Sequence, residues 1–241
     1  MHAIATRLRH GLPLVLISTI LGAAPAQLSA QDGEESEGLP LPVDRYLDIS
    51  TTESTWMSVD VSPDGRTIVF DHLGNLFTLP IDGGQATQLT SGLAFDAQPR
   101  FSPDGEHIVF TSDMDGGQNI WVMSLDGTDT IQVSEGEANR AESPEWTPDG
   151  EYIVASMGGF RGGAGLPNLH LYHVEGGSGT ELVDEEGEKH LGAAFGADDR
   201  WVWYARRDGD WTYNAPMPQY QLAVYDRDTG ESYARTSRWG S

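Results

Sequence analysis

The chain has no cysteine and one lysine, Lys189, among its 241 residues, and past its first thirty positions no apolar run approaches the length of a membrane span. Without cysteine there is no disulfide to staple the fold, so packing and backbone pairing must hold it. The scarcity of cations removes another class of function. Fourteen Lys and Arg stand against 37 Asp and Glu, a formal net charge of −23. Phosphate backbones are held by clustered Lys and Arg, so nucleic acid is excluded as a partner, and anionic membrane surfaces are disfavoured for the same reason. The charge fits a solvated surface that keeps an exported protein soluble, or a saline habitat where screening relieves the repulsion between acids. Also missing is any stretch that keeps apolar residues at i, i+3, i+4, i+7 for three turns, which excludes helical repeats.

At the N-terminus Arg7 and Arg9 precede an apolar run from Leu12 to Ala24, followed by Ala24-Pro25-Ala26. This pattern is that of a secretory signal peptide over residues 1–26, cleaved after Ala26, with Ala30 as the second choice. The run is too short for a bilayer of about 30 Å, which takes roughly 20 apolar residues, so no membrane insertion is expected after cleavage. Residues 27–45 read as a flexible lead-in, acidic and then Pro-rich, with almost nothing to bury. Residues 46–241 form the folded part, placed by the leader in the periplasm or outside the cell.

Val61-Ser62-Pro63-Asp64-Gly65 recurs as Phe101-Ser102-Pro103-Asp104-Gly105 and Trp146-Thr147-Pro148-Asp149-Gly150, with a worn fourth copy at Phe195-Gly196-Ala197-Asp198-Asp199. Counted from Pro63, Pro103, Pro148 and Ala197, the spacings are 40, 45 and 49 residues. Each copy is followed by a β-branched or aromatic run (Ile68-Val69-Phe70 in the first), then an alternating segment (Asn75 to Leu79), a second turn (Asp82-Gly83-Gly84) and a short outer strand (Thr87 to Thr90). Four antiparallel strands per period of about 45 residues define a propeller blade. The fold class is therefore all-β, a β-propeller of which four four-stranded blades are present. In the repeated turn Pro presets φ for the first central residue, Asp tolerates the second and Gly takes the left-handed position. The fourth copy lacks Pro and Gly, so its hairpin is expected to be looser.

These motifs resemble the TolB-like, WD40-like (PD40) repeats, and Phe101 to Ser134 follows that pattern nearly position for position. The lead-in from Leu47 to Asp60, with Gly92 to Arg100, resembles the N-terminal propeller of exported amidohydrolases. That resemblance implies a module at the front of a larger metal-dependent hydrolase. Its partner would then be a C-terminal hydrolase domain. A stand-alone TolB-like protein would instead meet an envelope protein partner, and the propeller of a serine peptidase of the prolyl-oligopeptidase or tricorn type also fits the repeats. The family's rings usually have six or more blades, about 270 residues at this period, so four blades point to an incomplete propeller. The alternative is a closed four-bladed ring in which residues 46–51 complete the last blade.

No catalytic residues, metal ligands or cofactor are expected. There is no G-x-S-x-G and no His-x-His. Gly177-Ser178-Gly179 reads as an ordinary turn. His170 and His173, three apart on a strand, point to opposite faces. Asp113, Asp115 and Asn119 have a spacing like a calcium loop but lack the later bidentate Glu. The glycine run Gly158 to Gly165 lacks the Lys-Ser/Thr end of a phosphate-binding loop and reads as a long loop. What remains is binding. Two expanded loops, Met157 to Pro167 and Arg206 to Gln219, carry Arg161, Arg206, Arg207, Trp211 and Tyr213, and with Tyr220 next to the second they form the candidate surface, because aromatics with arginine anchor interfaces.

Overall fold

The computed structural model describes residues 49–159, 166–183, 185, 187–196, 198–208 and 220–236. The expected leader, the lead-in, Arg161, Trp211 and Tyr213 lie outside these residues. Sixteen strands form four sheets of four. Blade 1 comprises β1 (Val59–Val61), β2 (Thr67–His72), β3 (Asn75–Pro80) and β4 (Thr87–Gln88). Blade 2 comprises β5 (Ala97–Phe101), β6 (His107–Ser112), β7 (Asn119–Ser124) and β8 (Thr130–Gln132). Blade 3 follows with β9 (Asn139–Trp146), β10 (Tyr152–Gly159), β11 (Asn168–His173) and β12 (Thr180–Val183). Blade 4 is β13 (Glu188–Phe195), β14 (Trp201–Asp208), β15 (Gln221–Asp226) and β16 (Glu231–Ala234). Every sheet is antiparallel and uses consecutive strands in order. The first strands of successive blades lie against one another, which makes them the innermost.

The expected loop boundaries shift. Met157, Gly158 and Gly159 belong to β10, and Arg206, Arg207 and Asp208 belong to β14. The cause is the length of the inner strands: β9 and β13 run for eight residues, so Gly159 pairs with Asn139 and Asp208 with Glu188. The closed four-bladed ring is also overturned. Blade 4 is completed by its own β16, whereas residues 49–51 are outside any strand.

Period-two alternation decides what each blade buries. One face of blade 1 (Val69, Leu76) packs on Ile108, Phe110 and Met123 of blade 2. The opposite face of blade 2 (Val109, Ile120, Val122) packs on Ile153, Ala155 and Tyr172 of blade 3. Blade 3 then offers Val154 and Leu169 to Val202, Tyr204 and Ala223 of blade 4. In blade 1 the counterparts of Ile108, Phe110 and Met123 are Ile68, Phe70 and Leu79, and these face an open groove of about 650 Å³. Among the described residues the four sheets do not close into a ring.

The S-P-D-G turns are more than tolerant of Asp. Gly105 N–H donates to Ser102 O at 2.9 Å, and Gly105 sits at φ +76°, where a side chain is strained. Asp104 Oδ1 accepts from Ser102 Oγ at 2.5 Å and from Glu106 N–H at 2.9 Å, while Ser102 Oγ accepts His107 N–H at 2.9 Å. Ser62 with Asp64 and Thr147 with Asp149 repeat the arrangement. The hydroxyl is the main cause that holds the Asp64, Asp104 and Asp149 carboxyls below their ordinary range. In the worn fourth turn the clamp is different. Arg200 grips Asp226 with two hydrogen bonds, at 2.9 and 2.7 Å, and Arg227 Nη1 donates to Asp199 O at 2.9 Å.

Three inner strands share a bulge at the same repeat position. Gln98, Ser143 and Gly192 all have left-handed φ, at 57°, 52° and 63°. Each bulge amide is held by a side chain from the preceding blade: Gln98 N–H by Asp71, Ser143 N–H by Gln98, and Gly192 N–H by Ser156. Bulges bend the strand that carries them, here the ones nearest the axis.

Candidate functional site

Antiparallel order puts all S-P-D-G turns at one end of the propeller. The other end carries the β10–β11 and β14–β15 connections and the crossings between blades. Arg206, Arg207 and Tyr220 lie at this second end. Arg206 is on β14 and its guanidinium is engaged. Nε donates to Gln221 Oε1 at 2.9 Å, and Nη1 lies 3.2 Å from Glu185 Oε2 and 3.5 Å from Glu188 Oε2. His190, fully buried on β13, completes the cluster. Its Nε2 is 3.6 Å from Glu188 Oε2, its Nδ1 is 3.0 Å from Asn168 Oδ1, and its ring meets Tyr204 edge-on at 5.4 Å. Burial pushes the Tyr204 hydroxyl above its ordinary range.

Glu185, Glu188 and His190 bring three ligand-type atoms within 4.8 Å of one another. The cation set among them is Arg206, which donates a hydrogen bond to Glu185 and forms an ion pair with Glu188. The local sequence carries one signal for this cluster: Glu188 and His190 are two apart on a strand and so share a face.

Arg207 behaves differently from Arg206. It lies across from Lys189 in the β13–β14 register, on the face of blade 4 turned away from blade 3, and both are half-buried. Neither has an ion-pair partner among the described residues. Like charges directly opposite on neighbouring strands are destabilising, by roughly a few tenths of a kcal/mol. Tyr220 is half-buried just before β15.

The other sequence candidates resolve locally. His170 Nε2 lies 3.8 Å from Glu181 and His173 Nδ1 lies 3.9 Å from Glu175, so each histidine has its own carboxylate neighbour. Asp113 Oδ1 accepts Phe95 N–H at 2.7 Å, and Asp115 accepts the side-chain amides of Asn119 and Gln132. Asn119 thus turns a donor toward Asp115, and the calcium-like spacing is used for hydrogen bonds. Gly117 in this hairpin has no room for a side chain, because a Cβ would collide with the Gly136 carbonyl.

Sheet order, turn chemistry and blade stacking define four blades of a β-propeller, and the sequence carries no G-x-S-x-G. Residues 56–221 match the tricorn protease N-terminal β-propeller domain, and the chain belongs to that family. It is 30% identical over 157 residues to the uncharacterized peptidase YuxL of Bacillus subtilis, covering 63% of this chain and 21% of that protein. With the Tol-Pal system protein TolB of Wolinella succinogenes it shares 31% identity over 114 residues, 45% of this chain and 26% of that one. A solved puromycin hydrolase superposes with a TM-score of 0.58 at 16% identity, over 77% of this chain and 29% of its own, a likeness of fold alone. The chain spans a third or less of the length of the curated relatives it matches.

Proposed function

We propose that this chain is the exported, non-catalytic propeller module of a hydrolase, and that its loop-bearing end docks on the catalytic domain and shapes access to it. The observation that carries the reading is the Lys189–Arg207 pair. In a chain of net charge −23, two adjacent cations that have no ion-pair partner among the described residues and lie beside the candidate loops are suited to an anionic partner surface. Arg161, Trp211, Tyr213 and Tyr220 would extend that surface, with Arg206 as the residue that fixes its base.

A serine peptidase of the tricorn or prolyl-oligopeptidase type is the parent that the relatives favour, since the matching family is a tricorn protease domain and a peptidase stands among the relatives. The amidohydrolase parentage rests on the lead-in resemblance and gains no support from these relatives. The likeness to TolB supports a second reading, a stand-alone module that recruits an envelope protein. Export rests on the leader pattern, and fusing residues 1–45 to a periplasm-dependent reporter tests it.

The deciding experiment follows the reading frame past the codon for Ser241. A G-x-S-x-G domain would support the peptidase parent, a His-x-His domain would restore the amidohydrolase, and an immediate stop would leave the TolB-like reading. With a hydrolase domain in hand, Lys189→Glu with Arg207→Glu should weaken its association with this chain by about tenfold or more. Unchanged affinity would overturn docking through this end of blade 4.

A further inference from the structure

Each innermost strand carries one residue three positions before the turn proline or its replacement: Asp60, Arg100, Glu145 and Ala194. Three consecutive blades thus place a charge at one level around the axis, and the fourth places a methyl group. Arg100 Nε lies 3.7 Å from Glu145 Oε2, and Arg100 Nη1 donates to Val59 O at 3.3 Å. Asp60 Oδ2 accepts Phe101 N–H at 2.8 Å. The layer therefore holds one guanidinium and two carboxylates, of which Glu145 is the ion-pair partner of Arg100. Where Ala194 replaces a longer side chain, a cavity of about 340 Å³ opens, walled by Asp60, Glu145, Phe101, Trp146, Phe195 and Ala194. That volume lies within the range of small-molecule pockets, roughly 300–1,000 Å³.

We propose that this axial cavity binds an organic ammonium ion, its charge set against Asp60 and Glu145 and its apolar body against Phe101, Trp146 and Phe195. A carboxylate taken out of water needs a cation close by, and Arg100 at 3.7 Å meets that need only in part. Burial, reinforced by the charge of Asp60 and opposed by Arg100, pushes Glu145 up to about 7. An alkylated ammonium gives up less hydration than a metal ion on entering such a site and gains from aromatic faces, which a bare ion does not need. The cavity is at the end that carries the S-P-D-G turns, opposite Lys189 and Arg207, so the proposal stands apart from the docking reading.

The test uses benzyltrimethylammonium, whose charge does not titrate, in calorimetric titration of the whole chain. The charged groups that face Glu145 are Arg100 from β5 and Asp60 from β1, while its strand partner Val154 on β10 and Ala194 on β13 bring none. Saturable binding at about pH 8.5 should weaken roughly tenfold by about pH 5.5 as Glu145 takes up a proton. Glu145→Gln should lower the affinity at high pH to the low-pH level and flatten the profile. Ala194→Leu should abolish binding by filling the cavity, with the fold checked by its melting temperature. Glu175→Gln, on the exposed surface, should change nothing. Absence of saturable binding, an unaffected Glu145→Gln, or an equal loss in Glu175→Gln would each overturn the proposal, the last by showing bulk attraction to an acidic surface. A free small ammonium and a peptide amino terminus share this chemistry. Tighter binding of an unblocked tetrapeptide than of its N-acetylated form would assign the second source, and no preference the first.

Discussion

Replacing Glu145 by Gln should stabilise the chain at high pH and leave it unchanged at low pH. Folding raises the Glu145 carboxyl from its ordinary 4.5 to about 7. The folded chain then binds a proton that the unfolded chain has released. Any stability linked to this group is fully present below the unfolded value and is lost as pH rises through the folded one. By linkage the shift corresponds to roughly 3 kcal/mol as a ceiling. About a third of the side chain is in solvent, at 32%, and screening there reduces the effect to about 1–2 kcal/mol. For a domain of this size that is a melting-temperature difference of roughly 3–6 °C. Gln mimics the neutral acid, so melts of the two proteins should coincide near about pH 4.5 and separate by about pH 8, the variant melting higher. The Asp64, Asp104 and Asp149 carboxyls are shifted downward and act in a lower pH window common to both proteins, so the difference curve isolates Glu145. Parallel curves over the whole range would refute the reasoning.

Three further outcomes are expected. Ser102→Ala removes the buried hydroxyl that donates to Asp104 and accepts His107 N–H, at a cost of about 1–3 kcal/mol in urea denaturation. Because Asp104 is held below its ordinary range, that cost is present above it and shrinks as pH falls through the lowered value, which acid titration of both proteins checks. Ile153→Ala opens a cavity between blades 2 and 3, where Ile153 is fully buried, and should cost about 2–5 kcal/mol by the same assay. Arg206→Ala leaves Glu185 and Glu188 together beside buried His190 without their cation. A loss of about 1–3 kcal/mol is expected, and a loss near zero would show that the cluster is not held by charge.

The blades were legible because their signals are local. Pro-Asp-Gly fixes a turn, and runs such as Ile108-Val109-Phe110 alternate with the strand period, so sheet order and buried faces follow from short windows of sequence. The strand ends were not legible, since Gly159 and Asp208 are drawn into strands by pairing with residues twenty positions away in the chain. The inner bulge was hidden for a related reason. Gln98 and Ser143 carry no mark of a left-handed backbone, and the side chains that hold their amides come from other blades. Turn propensity marks Asp only as permitted at its position, whereas its bond to the Ser102 hydroxyl depends on a side-chain geometry that propensity does not carry. Of the candidate surface, Arg206 is turned inward to Glu185 and Glu188, while the neighbour of Arg207, Lys189, is eighteen positions away in the chain and carries no local signal of that pairing.

Blades that bury their faces only against the next blade in line make cohesion a nearest-neighbour property. Among the described residues, blades 2 and 3 are packed on both faces and blades 1 and 4 on one. Opening should therefore start at the outer pair and travel inward, and slow amide exchange should concentrate in β6, β7, β10 and β11.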